Sequence, residues 1–263
     1  MAYQDGVYHI PSAGLALLGA VLIQIGTNLA NDYFDFKRGA DAHRIGPIRV
    51  TQAGLVSPRV MLSVILIVFL AAAAVAYPLI ERGGIPITII AVMSVLSGLL
   101  YTAGPLPLAY LGLGEIFVLI FFGPVAVGGT YYVQSLEINL AVLLAGVAPG
   151  LFSVAILTVN NLRDIDGDRQ VGKKTLAVRL GKNFAMAEYF WAITAGCLVP
   201  VIIHFVTDDY ERSMIAVATL FFSFPAIKTV FTDTSGPALN QTLGYTGQLL
   251  VIYTLLFSIG WVL

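Results

Sequence analysis

Eight apolar runs, at approximately 13–36, 60–80, 85–102, 110–129, 139–161, 185–206, 213–231 and 243–263, alternate along the chain with shorter polar stretches. Each is close to the roughly 20 helical residues that span a hydrocarbon layer of about 30 Å. The runs lack the alternation of period two that a membrane β-barrel requires, and an open sheet cannot satisfy its backbone in lipid. The pattern therefore predicts an all-α, polytopic transmembrane helix bundle of about eight spans, forming one domain over residues 1–263. Polar residues gather most densely after the first and fifth runs, in loops at about 37–59 and 162–184.

Composition sharpens this picture. The chain is 58% hydrophobic and 11% charged, with a mean hydropathy of +0.87, against roughly 25% charged residues in soluble domains. Its natural surroundings are membrane lipid. A net charge of −1 gives no basic excess for a nucleic-acid partner. Cys197, the only cysteine, can form neither an intrachain disulfide nor a cysteine metal cluster. Residues 1–11 contain no Lys or Arg and so lack the basic start of a signal peptide.

Charge also gives an orientation. With eight spans, 12 of the 14 Lys and Arg residues fall on one side, and only Arg82 and Arg212 fall on the other. Basic loops are cytoplasmic, so the two polar loops are expected on the cytoplasmic face of the cell membrane, with both chain ends outside.

The first polar cluster follows Asn28, where a helix would set Asn28, Asp32 and Asp35 at i, i+4 and i+7 on one face. The second repeats the idea, with Asn160, Asp164 and Asp168 at i, i+4 and i+8. Oxygen ligands without His or Cys suit a hard cation such as Mg²⁺, which takes one or two carboxylates and completes its shell with water and substrate phosphates. Nearby cations, Arg44, Arg49, Arg163, Lys173 and Lys174, are candidate donors to a diphosphate. Carboxylates at a span end can also be merely solvated. Asp41 and Asp166 are the positions where that bland reading weighs most, so Asp41 is the weakest metal candidate.

The remaining candidates carry less. His9, His43 and His204 are scattered, without zinc-ligand spacing. Glu115 and Glu188, near or within spans, could pair internally or line a cavity, and structural roles are expected for both. Tyr101, Tyr131 and Tyr132 suit either a cavity wall that stabilises a cation or an interfacial aromatic belt. Gly128 and Gly129 suit close helix packing.

Asn28-Leu-Ala-Asn31-Asp32-Tyr33-Phe34-Asp35, Arg44-Ile-Gly-Pro-Ile-Arg49 with Gln52-Ala-Gly54, and Asn160-Asn161-Leu-Arg163-Asp164 with Asp168 resemble the motifs of the UbiA superfamily of intramembrane aromatic prenyltransferases. Gly172-Lys173-Lys174-Thr175-Leu176 and Arg179-Leu180-Gly181 extend the likeness. Within the superfamily, the stretches 44–49 and 160–165 are similar to the 1,4-dihydroxy-2-naphthoate polyprenyltransferases. The resemblance implies Mg²⁺-dependent transfer of a polyprenyl group from polyprenyl diphosphate to dihydroxynaphthoate, releasing diphosphate and carbon dioxide on the way to menaquinone. It implies Asp32, Asp35, Asp164 and Asp168 as catalytic metal ligands. Asn28, Asn31, Arg44, Arg49, Asn160, Asn161, Arg163, Lys173 and Lys174 would contact substrate. It also implies nine transmembrane helices, one more than the runs counted here. Alternatives are another aromatic acceptor, such as hydroxybenzoate or homogentisate, and, in a different class, a cation-coupled transporter. A transporter would carry its carboxylates near the bilayer midplane rather than at span ends beside Lys and Arg.

The first consequence is physical. Membranes from cells producing the chain should retain it through high-salt and alkaline washes and release it only to detergent. Recovery in the aqueous fraction would contradict the assignment of spans.

Overall fold

The structure, a computed structural model, describes residues 1–39, 46, 48–105 and 107–263. Asp41, His43 and Arg44 lie outside the described residues. Among the described residues there is no strand, and seven helical segments are long and apolar enough to cross a membrane.

Helix α1 (Ile10–Arg38) starts with His9, whose ring accepts the Ser12 amide, and with proline in its first turn. It stops at Gly39, which turns left-handed (φ 70°) and returns its amide to the Asp35 and Phe36 carbonyls. Asn28, Asp32 and Asp35 are thus on one continuous helix, the condition under which their spacing puts them on one face.

Helix α2 (Pro58–Leu100) has 43 residues. At about 1.5 Å per residue it would reach about 65 Å, twice the hydrocarbon thickness of about 30 Å. Gly84, at φ 64° and ψ −146°, breaks it in a conformation open almost only to glycine. Contacts with α1 reveal the outcome. Phe69 lies on Gly26 and Val75 on Gly19, so the first arm, 58–83, runs antiparallel to α1. Gly98 lies on Thr27, and Thr102 donates to Asn31 Oδ1 at 2.8 Å, so the second arm returns to the starting face. The segment is two spans, which brings the seven apolar segments among the described residues to the eight runs of the hydrophobic pattern.

The remaining spans follow the pattern with two shifts. Helices α3 (Gly114–Ile120) and α4 (Ala126–Ser135) form one span through a π-helical turn at Phe121–Val125. This span runs past the expected end at residue 129 because Thr130, Tyr131, Tyr132 and Gln134 lower its hydropathy without interrupting the helix. Helix α5 (Leu140–Arg163) is the most buried span. Short helices α6 (Ile165–Gln170) and α7 (Leu176–Leu180) lie in the loop after it. Next come α8 (Lys182–Thr207), α9 (Thr219–Thr232) after a 3₁₀ stretch at Glu211–Ala218, and α10 (Gly236–Val262). Helix α10 begins seven residues before the apolar run at 243, since its first turns carry Asn240, Gln241 and Thr242.

The core is built around α5, where Phe152 meets the Tyr253 ring at 5.2 Å in a cluster that also holds Tyr189, Ile193 and Leu249. Tyr189 and Thr246 satisfy each other's hydroxyls at 2.9 Å. Gly146 and Gly150, one turn apart on α5, let it meet the α3–α4 span backbone to backbone. A Cβ on Gly146 would sit 2.8 Å from Pro124 Cα, and one on Gly150 would sit 2.5 Å from the Leu119 carbonyl oxygen. Such small-residue seams are how helices gain dispersion contacts where lipid offers no hydrophobic drive.

The two cations that the charge pattern sets apart close helix ends on the far face. Arg82 donates to the Val133 and Gln134 carbonyls at 2.7 and 2.9 Å, and Arg212 donates to the Leu263 carbonyl. Each is favourably placed at the negative end of a helix.

Gly146→Val should lower the unfolding temperature in detergent, by the equivalent of about 1–3 kcal/mol for an overpacked contact. Gly14→Val, at a position with no neighbour within 4 Å, should leave it nearly unchanged. Thermal unfolding followed by circular dichroism compares the two.

Candidate active site

Three loops meet at one end of the bundle, and the sequence explains how each is fixed. After α1 the chain folds back so that the Val50 and Thr51 amides donate to the two carboxylate oxygens of Asp32, at 3.0 and 3.2 Å. This turn carries Arg49 to Asp35, with Nη2 and Oδ2 3.6 Å apart. The loop after α2 is held by Thr102 on Asn31 and by Arg38, which donates to the Gly104 carbonyl and lies 4.7 Å from the Tyr110 ring centroid. The loop after α5 is locked to it from the other side. Arg179 donates to the Leu111 carbonyl at 2.9 Å and the Lys174 amide to the Tyr110 carbonyl at 3.3 Å.

The second motif is less regular than its spacing predicts. Helix α5 ends at Arg163, Asp164 adopts φ −96° and ψ 6°, and α6 begins after it. Asn160, Asp164 and Asp168 therefore do not share one continuous helix. The i to i+4 backbone bonds survive the break, from the Asp164 amide to Asn160 at 3.1 Å and from the Asp168 amide to Asp164 at 2.8 Å. The cause is Arg163, whose side chain is only 1% exposed. It binds both Asp164 oxygens, through Nε at 2.8 Å and Nη2 at 2.6 Å, and also Asn160 Oδ1 and Asn240 Oδ1, each at 2.7 Å. A buried cation needs such satisfaction, and the helix bends to provide it.

Lys173 joins the two motifs. Its backbone amide donates to the Asp168 carbonyl at 2.9 Å, and its ammonium lies 3.4 Å from Asp168 Oδ1. Burial alone would lower its pKa, but Asp168 and Asp35 outweigh that and hold it charged above the usual lysine range. Asp168 is raised as well, which for a carboxyl disfavours the charged form. Burial raises its carboxyl above the ordinary range, Lys173 offsets part of this, and the negative charges of Asp164 and Asp35 add to it. Asp35 from the first motif and Asp168 from the second thus lie within each other's field. Asp168 Oδ2 is buried and, among the described residues, accepts no hydrogen bond.

The residues singled out in the sequence are placed unequally. Asp35, Arg49, Asp168 and Lys173 are brought together. Asp32 anchors the 50–51 turn, and Asp164 and Asn160 are held by Arg163. Asn31 accepts from Thr102, and Asn161 donates through Nδ2 to Glu115 Oε1 at 2.9 Å. Asn28 is exposed on the motif face of α1, and the Lys174 side chain is exposed. Asp166 forms a surface pair with Arg169 at 3.6 Å, as the solvated reading expects. Asn240, Thr102 and Tyr110 were not legible as site residues, because each arrives from an element without an aspartate motif. Among the described residues no three acidic or histidine side chains converge on a metal position by themselves. An ion here would need few protein ligands and substrate oxygens.

Comparison with known proteins fits this arrangement. The model of the UbiA prenyltransferase family matches residues 1–240. The chain is 41% identical over 208 residues to the 1,4-dihydroxy-2-naphthoate octaprenyltransferase of Escherichia coli (strain K12), covering 76% of this chain and 67% of that protein. It is 36% identical over 242 residues to the Mycobacterium leprae (strain TN) protein of the same name, covering 92% and 81%. The alignments thus leave part of each relative's length unmatched. A solved structure of a UbiA homolog from Archaeoglobus fulgidus bound to DMAPP and Mg²⁺ superposes with a TM-score of 0.63 at 15% identity, covering 98% of this chain and 92% of that one.

Arg163→Ala should destabilise the protein by about 3–5 kcal/mol, the usual result of stripping one partner from a buried ion pair. Arg163→Lys should recover little, because an ammonium lacks the fork that binds both Asp164 oxygens and two asparagines. Unfolding temperatures in one detergent measure both.

Proposed function

Because the chain belongs to the UbiA prenyltransferase family, we propose that it transfers a polyprenyl group from polyprenyl diphosphate to 1,4-dihydroxy-2-naphthoate. The products are the prenylated naphthohydroquinone, diphosphate and carbon dioxide, as a step toward menaquinone. The observation that carries the reading is the convergence of Asp35, Asp168, Arg49 and Lys173 from two motifs at one membrane-proximal site. In this reading residues 1–263 act as one domain, and the motif loops at about 37–59 and 162–184 face the cytoplasm from the cell membrane.

The donor set fits Mg²⁺. It consists of oxygen ligands only, and it includes a buried Asp168 oxygen that no donor among the described residues satisfies. Asp35 and Asp168 would hold the ion. Asp32 and Asp164 already accept two hydrogen bonds each, and a carboxylate has about four lone-pair sites, so both retain capacity to join. When bound, Mg²⁺ supplies positive charge to the diphosphate oxygens.

The chain's own residues do the rest. Arg49 and Lys173 turn from Asp35 and Asp168 toward the non-bridging phosphate oxygens, and exposed Lys174 and Asn28 are further candidate substrate contacts. Arg44 belongs to the same set but lies outside the described residues. Arg163 keeps Asp164 and Asn160 in place, since four of its five N–H groups, by the usual guanidinium inventory, are engaged inside the protein. Charge developing on the leaving diphosphate meets fixed cations, and such preorganised electrostatic stabilisation commonly lowers a reaction barrier more than any other single effect. The allylic carbocation forms where the spans exclude water, and the electron-rich naphthoate ring attacks it. The polyprenyl tail stays in the lipid between the spans.

Purified protein given dihydroxynaphthoate, a polyprenyl diphosphate and Mg²⁺ should form prenylated naphthohydroquinone and diphosphate, and EDTA should abolish both. Asp168→Asn and Asp35→Asn should each lower turnover by about 10²–10³-fold, the usual loss when one charge-stabilising group is removed. Undiminished turnover in EDTA would overturn the metal assignment.

A further inference from the structure

Beneath the cation-rich layer the bundle holds a second polar layer that diphosphate binding leaves unused. Glu115, the second residue of α3, is 7% exposed, and its partner Asn161 on α5 is 4% exposed. Asn161 stands three residues before Asp164, hence about 4.5 Å deeper along the helix axis. One turn deeper again, Thr158 donates to Glu188 Oε2 at 3.1 Å. Tyr101 closes the layer. Gly114 has no side chain to hold the ring away, and a Cβ there would come within 3.0 Å of the Tyr101 hydroxyl. Lys173 and Tyr101 both lie within the electrostatic field of Glu115, so this layer is continuous with the site above.

The transfer reaction asks for a group that the motifs do not provide. A ring hydroxyl must lose its proton as the ring carbon attacks, and in the prenyl-transfer reading the motif carboxylates are assigned to the ion and to the cations beside it. The accepting group must lie about one ring away from the diphosphate, on the side of the membrane interior. Glu115 meets both conditions. Its carboxylate plane is fixed by Asn161, whose one hydrogen bond to Oε1 leaves lone pairs for a substrate hydroxyl. Glu188, on α8, sits beside Thr158 and is therefore about one turn of α5 deeper than Glu115 beside Asn161.

On the basis of the prenyl-transfer reading, we infer that Glu115 is the catalytic base that accepts the acceptor's ring hydroxyl, with Asn161 as its positioning residue. The hydroxyl proton passes to the Glu115 carboxylate while the ring carbon's electron pair forms the bond to the allylic carbon. The allylic C–O bond breaks, and its pair leaves with the diphosphate. The carboxylate on the prenylated ring carbon departs as carbon dioxide and returns its bonding pair to the ring. Glu115 then gives the proton back to the ring oxygen. The product is the hydroquinone, so no oxidant is consumed.

Glu115→Gln tests this cleanly, because a glutamine oxygen still accepts from Asn161 Nδ2. The titratable groups facing Glu115 are Lys173, Tyr101 and Glu188, and all three are unchanged in this variant. Near pH 7 turnover should fall by about 10²–10⁴-fold, the range for a lost general base. Toward about pH 9.5, where the acceptor ionises without help, the deficit should shrink at least about tenfold. Binding of farnesyl thiodiphosphate, an unreactive donor, should stay within about twofold of wild type in Mg²⁺. A deficit that is constant with pH, a loss below about threefold, or donor binding lost together with turnover would each overturn the assignment. If the glutamine variant fails to accumulate in the membrane, Glu115→Asp supplies the test. It should keep the wild-type shape of the pH profile at lower turnover, and a changed shape would count against the proposal. Product formation by the wild type tests the prenyl-transfer reading separately. No product there sinks that reading, whereas product with an unimpaired Glu115→Gln sinks only this one.

Discussion

Carboxylates gathered at a membrane surface repel one another, and everything at the motif end of this bundle is arranged around that repulsion. Asp35, Asp164 and Asp168 share one field, and three cations make their proximity tolerable. Lys173 stands between the two motifs, Arg49 meets Asp35, and Arg163 takes both oxygens of Asp164. The loops that carry Arg49 and Lys173 are in turn fixed by backbone bonds to motif aspartates, Val50 and Thr51 to Asp32, and Lys173 to Asp168. Charge balance and loop conformation are thus one constraint. An incoming diphosphate with a divalent cation would substitute for the internal pairs, bringing its own negative and positive charges to groups already in position.

The helices supply a rigid frame for this arrangement by satisfying a different demand. In lipid, apolar side chains gain nothing from leaving one another's company for a neighbouring helix, so close packing has to come from shape. Gly146 and Gly150 on α5, meeting Pro124 and Leu119, bring the α3–α4 span against the central helix. The same contact puts Glu115 beside Asn161. The reversal at Gly84 does comparable work for α1, since both arms of α2 then support the helix that carries Asp32 and Asp35.

The site is layered along α5. Asp164 and Asp168 lie at the membrane surface, Asn161 with Glu115 one turn in, and Thr158 with Glu188 another turn in. A prenyl donor has the same order of chemistry, with charge at one end, an allylic carbon next to it and hydrocarbon beyond. A reaction between a diphosphate ester and an aromatic ring calls for such a gradient, because the ionising bond must lie near cations and the carbocation away from water.

The sequence by itself determined the number and character of the spans and the two aspartate motifs. Hydrophobic length and helical spacing are local properties, written in neighbouring residues. It also set Asp166 apart from the other motif aspartates, and that side chain pairs with Arg169 at the surface. The tertiary structure decided which motif residues face one another, because that depends on loops folding back across helices far apart in the chain. Asp35 and Asp168 share a field only because Lys173 and the 101–113 loop bring them there. Asp32 and Asp164 look equivalent to them in sequence, yet their oxygens are committed to the 50–51 turn and to Arg163. The partners Asn240, Thr102 and Glu115 carry no motif of their own. Only packing could select them, since a buried polar group must find a donor or acceptor wherever the fold provides one.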